Sequence, residues 1–453
     1  MELLQKKIRP LYFKYLSAAF GSALISSIYS IVDMVVVGQY EGPNGTAALA
    51  IVAPVWNIIY SLGLLTGIGG SVLYSSVKGN ASKNDGTANS LFTTALIGTS
   101  ILAMISWLLV MFFDKELLML FGAEETLLPL ALDYLKPLKY VVPVFIFNQM
   151  LAAFLRNDNN PGLATAAVLT TGILNAIGDV FFTFTLDMGI FGAGLATAIG
   201  GTVSLLIMLT HFKSKKNTLK LVKPNSLIRK SRLIAVTGFS TFFVDIAMGI
   251  LTMLFNRQIL RYAGTDALSV YGIIVNISTI VQCCAYSVGQ AAQPILSINY
   301  GAKQWERIRE TLKYALRTVA FFSIAWTAVT LAFPNGFIRL FMTPTESVLA
   351  IAPVIIRRYC LSFILMPLNV FSAYYFQSLL KPGASFAVSI SRGFIVSGVL
   401  IFVLPMVFGG DAMWFAMPLT ELLVAIGVVT LMAYYTKNLN KEKAVSAKMV
   451  WQV

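Results

Sequence analysis

The stretch KSKKNTLKLVKPNSLIRKSR, Lys213 to Arg232, is the one long hydrophilic break between the apolar segments of this 453-residue chain. It carries eight basic residues, Lys213, Lys215, Lys216, Lys220, Lys223, Arg229, Lys230 and Arg232, and no acid. Around it the chain is 57% hydrophobic and only 12% charged, whereas a soluble protein is about half apolar and a quarter charged. That deficit of charge excludes an ordinary cytosolic enzyme. A membrane-spanning helix needs about 20 predominantly apolar residues, and cutting at polar or Gly/Pro-rich interruptions predicts twelve of them: 11–38, 47–77, 88–113, 128–155, 161–185, 189–212, 233–262, 267–299, 311–334, 349–380, 383–407 and 412–436. The basic stretch divides these six and six. The expected fold is an all-α polytopic membrane protein with twelve transmembrane helices in two six-helix pseudo-symmetric lobes. Its expected parts are an N-terminal lobe at 1–212, a cytoplasmic basic linker at 213–232, a C-terminal lobe at 233–436 and a cytoplasmic tail at 437–453.

The net charge of +14 fits basic residues held on the cytoplasmic side during insertion better than nucleic-acid binding. Alternating the loops from a cytoplasmic N-terminus puts 26 of the 34 Lys and Arg inside and eight outside. The reverse orientation violates the positive-inside rule, so both termini are expected in the cytoplasm of a plasma, or bacterial inner, membrane. Lys6, Lys7 and Arg9 ahead of an apolar run resemble a signal peptide, but the run continues past a signal's length and reads as the first span. Cys283, Cys284 and Cys360 lie in apolar runs without metal-ligand spacing, which disfavours disulfides and structural zinc.

The halves repeat. GTAALA at Gly45–Ala50 has its counterpart in GTDALS at Gly264–Ser269, each opening the second segment of its half. Gly79 and Gly301 each precede a hydrophilic loop, and LFG at Leu120–Gly122 parallels LFM at Leu340–Met342. Pro143 and Pro367 sit mid-segment, while Pro161-Gly162 and Pro382-Gly383 open the fifth segment of each half. Two repeats of the same orientation imply a pseudo-two-fold axis along the membrane normal, a design that favours a cavity between two rocking lobes.

Four motifs resemble the multidrug and toxic compound extrusion transporters: IYSIVDMVVVGQYEGPNGTAALAIVAP at Ile28–Pro54, GIGGSVLYSSVKGN at Gly67–Asn80, MGIFGAGLATAIG at Met188–Gly200 and SVGQAAQPILSINYGAKQWERIRE at Ser287–Glu310. The resemblance covers nearly the whole chain. It implies an antiporter that exports amphipathic organic cations and drugs in exchange for protons or sodium through V-shaped outward-open and inward-open states.

An ionised carboxylate facing lipid costs about 2.5–3.5 kcal/mol, so intramembrane acids should face a cavity or a partner. Asp33, Asp179, Asp245 and Glu421 stand inside predicted spans. Asn175 and Asp179, four residues apart, share a helix face with Thr171 and Gly172, a small and polar stripe that suits a cavity wall. In one branch of the resembled family the acidic site lies in the N-terminal lobe. Its pattern maps onto Asp33, onto Asn175 and Asp179, and onto Thr197, which implies that these four hold the coupling ion, with Asp33 and Asp179 as sodium ligands if sodium is used. The alternative is a static hydrogen-bonded network that fixes helix packing. Asp245 resembles the acid of the other branch, but segment 10, around Asn369, offers it no second carboxylate. Glu421, after Pro418, reads as structural support.

Asp245, Gln282, Gln290, Tyr29 and Met34 are candidate substrate contacts, although interhelical hydrogen bonding explains the glutamines equally well. Many family members carry a proline where this chain has Ala18-Ala19, so bending of the first segment by that proline is not available here. His211 reads as interfacial, and Arg156–Asn160 as a polar turn rather than a metal site.

No Walker motif is present, so energy must come from an ion gradient; about 100 mV supplies about 2.3 kcal/mol per charge moved, roughly a fifty-fold gradient. The alternative function is a lipid or lipid-linked glycan flippase, which should place several Arg or Lys in its cavity. An enzyme is disfavoured because no metal cluster or nucleophile–base set accompanies the single histidine. The expected protein is a monomeric antiporter without cofactor, its coupling ion a proton or sodium, its partners small organic cations, drugs and membrane lipids, with no nucleic acid.

Overall fold

The computed structural model describes residues 2–80, 85–123, 127–341 and 344–441, apart from the side chains of Ser26, Ser27, Ser30, Pro43, Asp85, Asp245, Thr265 and Lys441. The tail beyond 441 and Met342 of the LFM repeat lie outside the described residues. Eleven helices among the described residues are long and apolar enough to cross a membrane, and the first limb of the 72-residue helix Ile8–Gly79 adds the twelfth. The N-terminal lobe holds α1 (8–41), α2 (Asn44–Gly79), α3 (Gly86–Phe112), α4 (Leu128–Asn157), α5 (Pro161–Thr185) and α6 (Gly189–Lys213). The C-terminal lobe holds α7 (Leu227–Tyr262), α8 (Asp266–Gly301), α9 (Trp305–Ala332), α10 (Glu346–Ser378), α11 (Pro382–Phe408) and α12 (Gly410–Asn438).

The repeat signals become matching bends. Between α1 and α2 the chain turns within an otherwise continuous helix at Gly42 (φ 68°), and between α7 and α8 it turns at Gly264 (φ 79°). Both are conformations that a Cβ opposes. α4 is interrupted by a tight turn at Lys139–Val141 just before Pro143, and α10 by one at Leu361–Ile364 just before Pro367, because proline withdraws a backbone donor from the helix.

The two lobes interlock on the side of the linker. A methyl group added to Gly301 would lie 1.8 Å from the Ser76 carbonyl oxygen, and one on Gly79 would lie 2.0 Å from that of Ile298. The paired repeat glycines are therefore where α2 and α8 cross backbone to backbone. A second crossing, α2 on α7, brings the Cβ position of Gly238 to 1.9 Å from the Leu65 carbonyl oxygen. Asn157 donates to Gln293 Oε1 at 3.0 Å, Tyr12 donates to Thr318 at 3.1 Å, and Arg307 Nη2 donates to the Leu3 carbonyl at 2.9 Å, each joining one lobe to the other.

The linker differs from the expectation. α7 already begins at Leu227, so Arg229, Lys230 and Arg232 belong to its first turns rather than to a loop. The preceding residues are strapped onto the N-terminal lobe: Lys220 N donates to Asn89 Oδ1 at 3.0 Å, Val222 N to Thr93 Oγ1 at 3.1 Å and Thr218 N to Asp158 Oδ2 at 2.8 Å. His211, expected at the interface, is fully buried, with Nε2 2.9 Å from Asp158 Oδ2 and Nδ1 3.0 Å from the Asn160 amide nitrogen. Lys78 Nζ completes the cluster 2.9 Å from Asp158 Oδ1. The polar turn at Arg156–Asn160 is thus the interior anchor of the linker. Burial works to raise the Asp158 carboxyl, but His211, Lys78 and the Thr218 hydroxyl and backbone N–H prevail and hold it below its ordinary range.

Two outcomes are expected. Gly301→Ala lowers stability by about 1–3 kcal/mol through overpacking, read as a fall in the thermal unfolding midpoint of the purified protein. Because the folded Asp158 carboxyl is held low, its contribution is present above the unfolded value near 3.9 and is lost as pH falls through the folded value. Asp158→Asn removes that acid-side loss and exposes the linker to trypsin at neutral pH; an unchanged digestion rate contradicts the anchoring.

Candidate functional site

Small residues let α1, α5 and α6 approach closely, as membrane helices do where polar side chains must meet. The Cβ position of Gly172 is 2.5 Å from Ile25, that of Gly178 is 2.8 Å from Ala196, and Thr171 donates to the Gly200 carbonyl at 3.1 Å. Thr165 of α5 donates to the Ala18 carbonyl at 2.7 Å, so the place where the resembled family often has proline is an interhelical clamp in this chain.

On this frame the four predicted ion-site residues come together in the N-terminal lobe. Asn175, Asp179 and Thr197 are buried, and Asp33 is half-buried. The Asn175 amide donates to Thr197 Oγ1 at 2.8 Å and to Asp179 Oδ1 at 3.3 Å. Asp179 lies within electrostatic reach of Asp33. Tyr134 of α4 donates to Asp33 Oδ2 at 2.8 Å and belongs to the same site. Sequence reasoning missed it, since its polar neighbours in LDYLKP are Asp133 and Lys136, whereas its partner Asp33 lies 101 positions away on α1. Asp33 Oδ1, Asp179 Oδ2 and Asn175 Oδ1 are buried without a hydrogen-bond partner. Each such atom costs about 1–3 kcal/mol, and three oxygens of this kind suit a proton or a hard cation rather than a soft metal. Among the described residues no cluster of three or more His, Cys, Asp and Glu has metal-holding geometry, so any cation here relies on amide and hydroxyl oxygens as well.

A cavity of about 330 Å³ lies between the lobes, walled by Asn57, Tyr60 and Leu64 of α2 and by residues of α7, α8, α10 and α11. Leu64 and Tyr374 close its floor together with Ile68, Val72 and Ala153. Of the five substrate-contact candidates, Gln290 lines it. Gln282 borders a small adjoining pocket, which shares Met248, Thr279 and Arg392 with the cavity, and accepts from the Tyr286 hydroxyl at 3.4 Å. Tyr29 packs on the Gly172 position of α5, and Met34 is half exposed, both away from this cavity. Asp245 lies on α7 between the lining residues Val244 and Met248, its side chain outside the described residues.

Glu421 is held from both sides: Arg392 Nε donates to Oε1 at 2.7 Å and Asn369 Nδ2 to Oε2 at 2.6 Å, all three residues being buried. Arg392 was legible, as the one charged residue between Pro382 and Phe408, and an intramembrane cation calls for a partner. The fifth helix of each lobe also widens into a π turn beside its ionisable group, at Phe181–Thr185 after Asp179 and at Ser391–Ile395 around Arg392, a local geometry often found at functional sites.

The family model MatE matches residues 18–181 and 240–404. Among curated relatives, Multidrug export protein MepA of Staphylococcus aureus is 23% identical over 410 residues, covering 90% of this chain and 89% of its own length. The same-named protein of Staphylococcus saprophyticus is 22% identical over 426 residues, 93% of each chain. Among solved structures, the outward-facing conformation of a multidrug resistance MATE family transporter of the MOP superfamily superposes with a TM-score of 0.88 at 18% identity, covering 97% of this chain and 98% of that one.

Tyr134→Phe removes the donor to Asp33 Oδ2, leaving it like the already unpartnered Oδ1, and is expected to cost about 1–3 kcal/mol. A double-mutant cycle with Asp33→Asn, read by thermal unfolding, should return a coupling energy of about 1–2 kcal/mol; additive effects contradict the pairing.

Proposed function

Because the chain belongs to the MatE family of transporters, we propose that it is a multidrug efflux transporter of the plasma membrane, exchanging amphipathic organic cations and drugs for a proton or sodium ion. The observation that carries the reading is the trio of partnerless buried oxygens on Asp33, Asn175 and Asp179, gathered within one lobe beside Tyr134 and Thr197.

In this reading the coupling ion occupies that trio and offsets the cost of the buried oxygens, while the substrate occupies the interlobe cavity. α1 and α5 contribute the ion ligands, and α1 also runs into the linker-side junction, where Leu3, Tyr12 and Tyr15 pack among residues of α8 and α9. Ion occupancy therefore biases how α1 sits against the opposite lobe, and the coupling free energy acts equally in both directions. The glycine crossings close the cavity on the linker side, which the charge distribution assigns to the cytoplasm. The conformation described here is then the one whose cavity is shut off from the cytoplasm.

The test is efflux of a fluorescent organic cation in inverted vesicles under separately imposed proton and sodium gradients. Wild type should respond to one gradient, and Asp33→Asn and Asp179→Asn should lose at least about tenfold of the driven rate, about 1.4 kcal/mol of transition-state stabilisation. Normal driven export by both variants overturns the ion-site assignment.

A further inference from the structure

We propose that the interlobe cavity recognises an anionic group on its substrate through Arg392, so that amphipathic molecules bearing a carboxylate or similar monoanion are bound in preference to the same molecules with that group masked. The inference rests on the export reading above but concerns a different site from the ion trio.

Arg392 lines the cavity and is the one charged side chain among the described residues that do so. It is 5% exposed, and its Nη2 is buried without a hydrogen-bond partner. A guanidinium built only to neutralise Glu421 would engage it through both prongs of its fork. Here Glu421 takes the Nε hydrogen alone at 2.7 Å, and Asn369 holds the other carboxylate oxygen at 2.6 Å. Glu421 is thereby fixed at Nε, leaving Nη2 as an unspent donor. Burying such a donor is costly unless something accepts from it. The π turn at Ser391–Ile395 sets this residue off the regular helix register, and the contact of the Gly393 position with Ala247, 2.7 Å for an added Cβ, seats the turn against α7.

The rest of the wall fits an amphiphile. Leu64, Val370, Ala373, Tyr374 and Val388 supply apolar and aromatic surface, and about 330 Å³ falls within the range of small-molecule sites. A ligand carboxylate accepting from Nη2 would form a charge-assisted bond in a low-dielectric setting. Glu421 occupies Nε and not Nη2, so an anion bound at Nη2 would not displace the protein's own carboxylate.

The experiment compares rhodamine B, which carries a free carboxylate, with its ethyl ester, by fluorescence polarisation on the full-length protein in phosphatidylcholine nanodiscs. Wild type should bind the acid about tenfold more tightly than the ester, or about 1.4 kcal/mol. The Arg392→Gln/Glu421→Gln variant removes both charges together and should bring that ratio close to one. Arg392→Lys, which keeps the charge but lacks the second prong, should lower it severalfold and serves if the double variant does not fold. A wild-type ratio of one or below overturns the proposal, as does a ratio unchanged in either variant. Competition by added phosphatidylglycerol would identify a lipid headgroup as the anion and its absence a soluble substrate; both outcomes retain the anion site. Ion-driven transport of the ester in vesicles is read separately, and its failure counts against the export reading, not against the binding ratio.

Discussion

The backbone contact of α2 with α8 at Gly79 and Gly301 governs much of the molecule. At 1.8–2.0 Å from the opposing carbonyl oxygens there is no space for a side chain, so α2 and α8 meet backbone to backbone at these two glycines. Each lobe's second helix supplies one of the glycines, which makes the junction self-complementary in the manner of a pseudo-two-fold contact. Around it Asn157 and Gln293, Tyr12 and Thr318, and Arg307 and the Leu3 carbonyl tie one lobe to the other. The cavity between Leu64 and Tyr374 exists because the lobes are held together at one end.

Buried charge is distributed asymmetrically about this junction. The N-terminal lobe concentrates acids, Asp33 and Asp179, with Asn175, Thr197 and Tyr134 in attendance. The C-terminal lobe holds a compensated group, Arg392 with Glu421 and Asn369, and turns the arginine toward the cavity. One architecture, repeated, thus presents buried acids in one lobe and a buried guanidinium with an unpartnered Nη2 in the other.

The twelve spans, the two-fold repeat and the grouping of Asp33, Asn175, Asp179 and Thr197 were legible because each rests on a local signal: apolar length, matched glycines and prolines, and helical spacing. Tyr134 was not, since its role comes only from the close packing of α4 against α1. The Asp158 cluster escaped for a similar reason. Residues 156–160 look like a surface turn until α6 brings His211 and the linker brings Thr218 over them. The linker's basic residues marked a boundary but concealed that α7 begins at Leu227. Arg392 was visible as a mid-span cation, yet its partner lies 29 positions away on another helix, a pairing that periodicity does not encode.

The central claim is that ion occupancy at Asp33 and Asp179 sets the relation between the lobes. It is tested most directly by the distance between spin labels placed at the two exposed far-side positions Asn44 and Ala263, in a background with the native cysteines replaced. The account predicts that changing the proton or sodium concentration shifts this distance distribution in the otherwise native protein and leaves the Asp33→Asn/Asp179→Asn variant unmoved. A variant that follows the ion as the native protein does would contradict it.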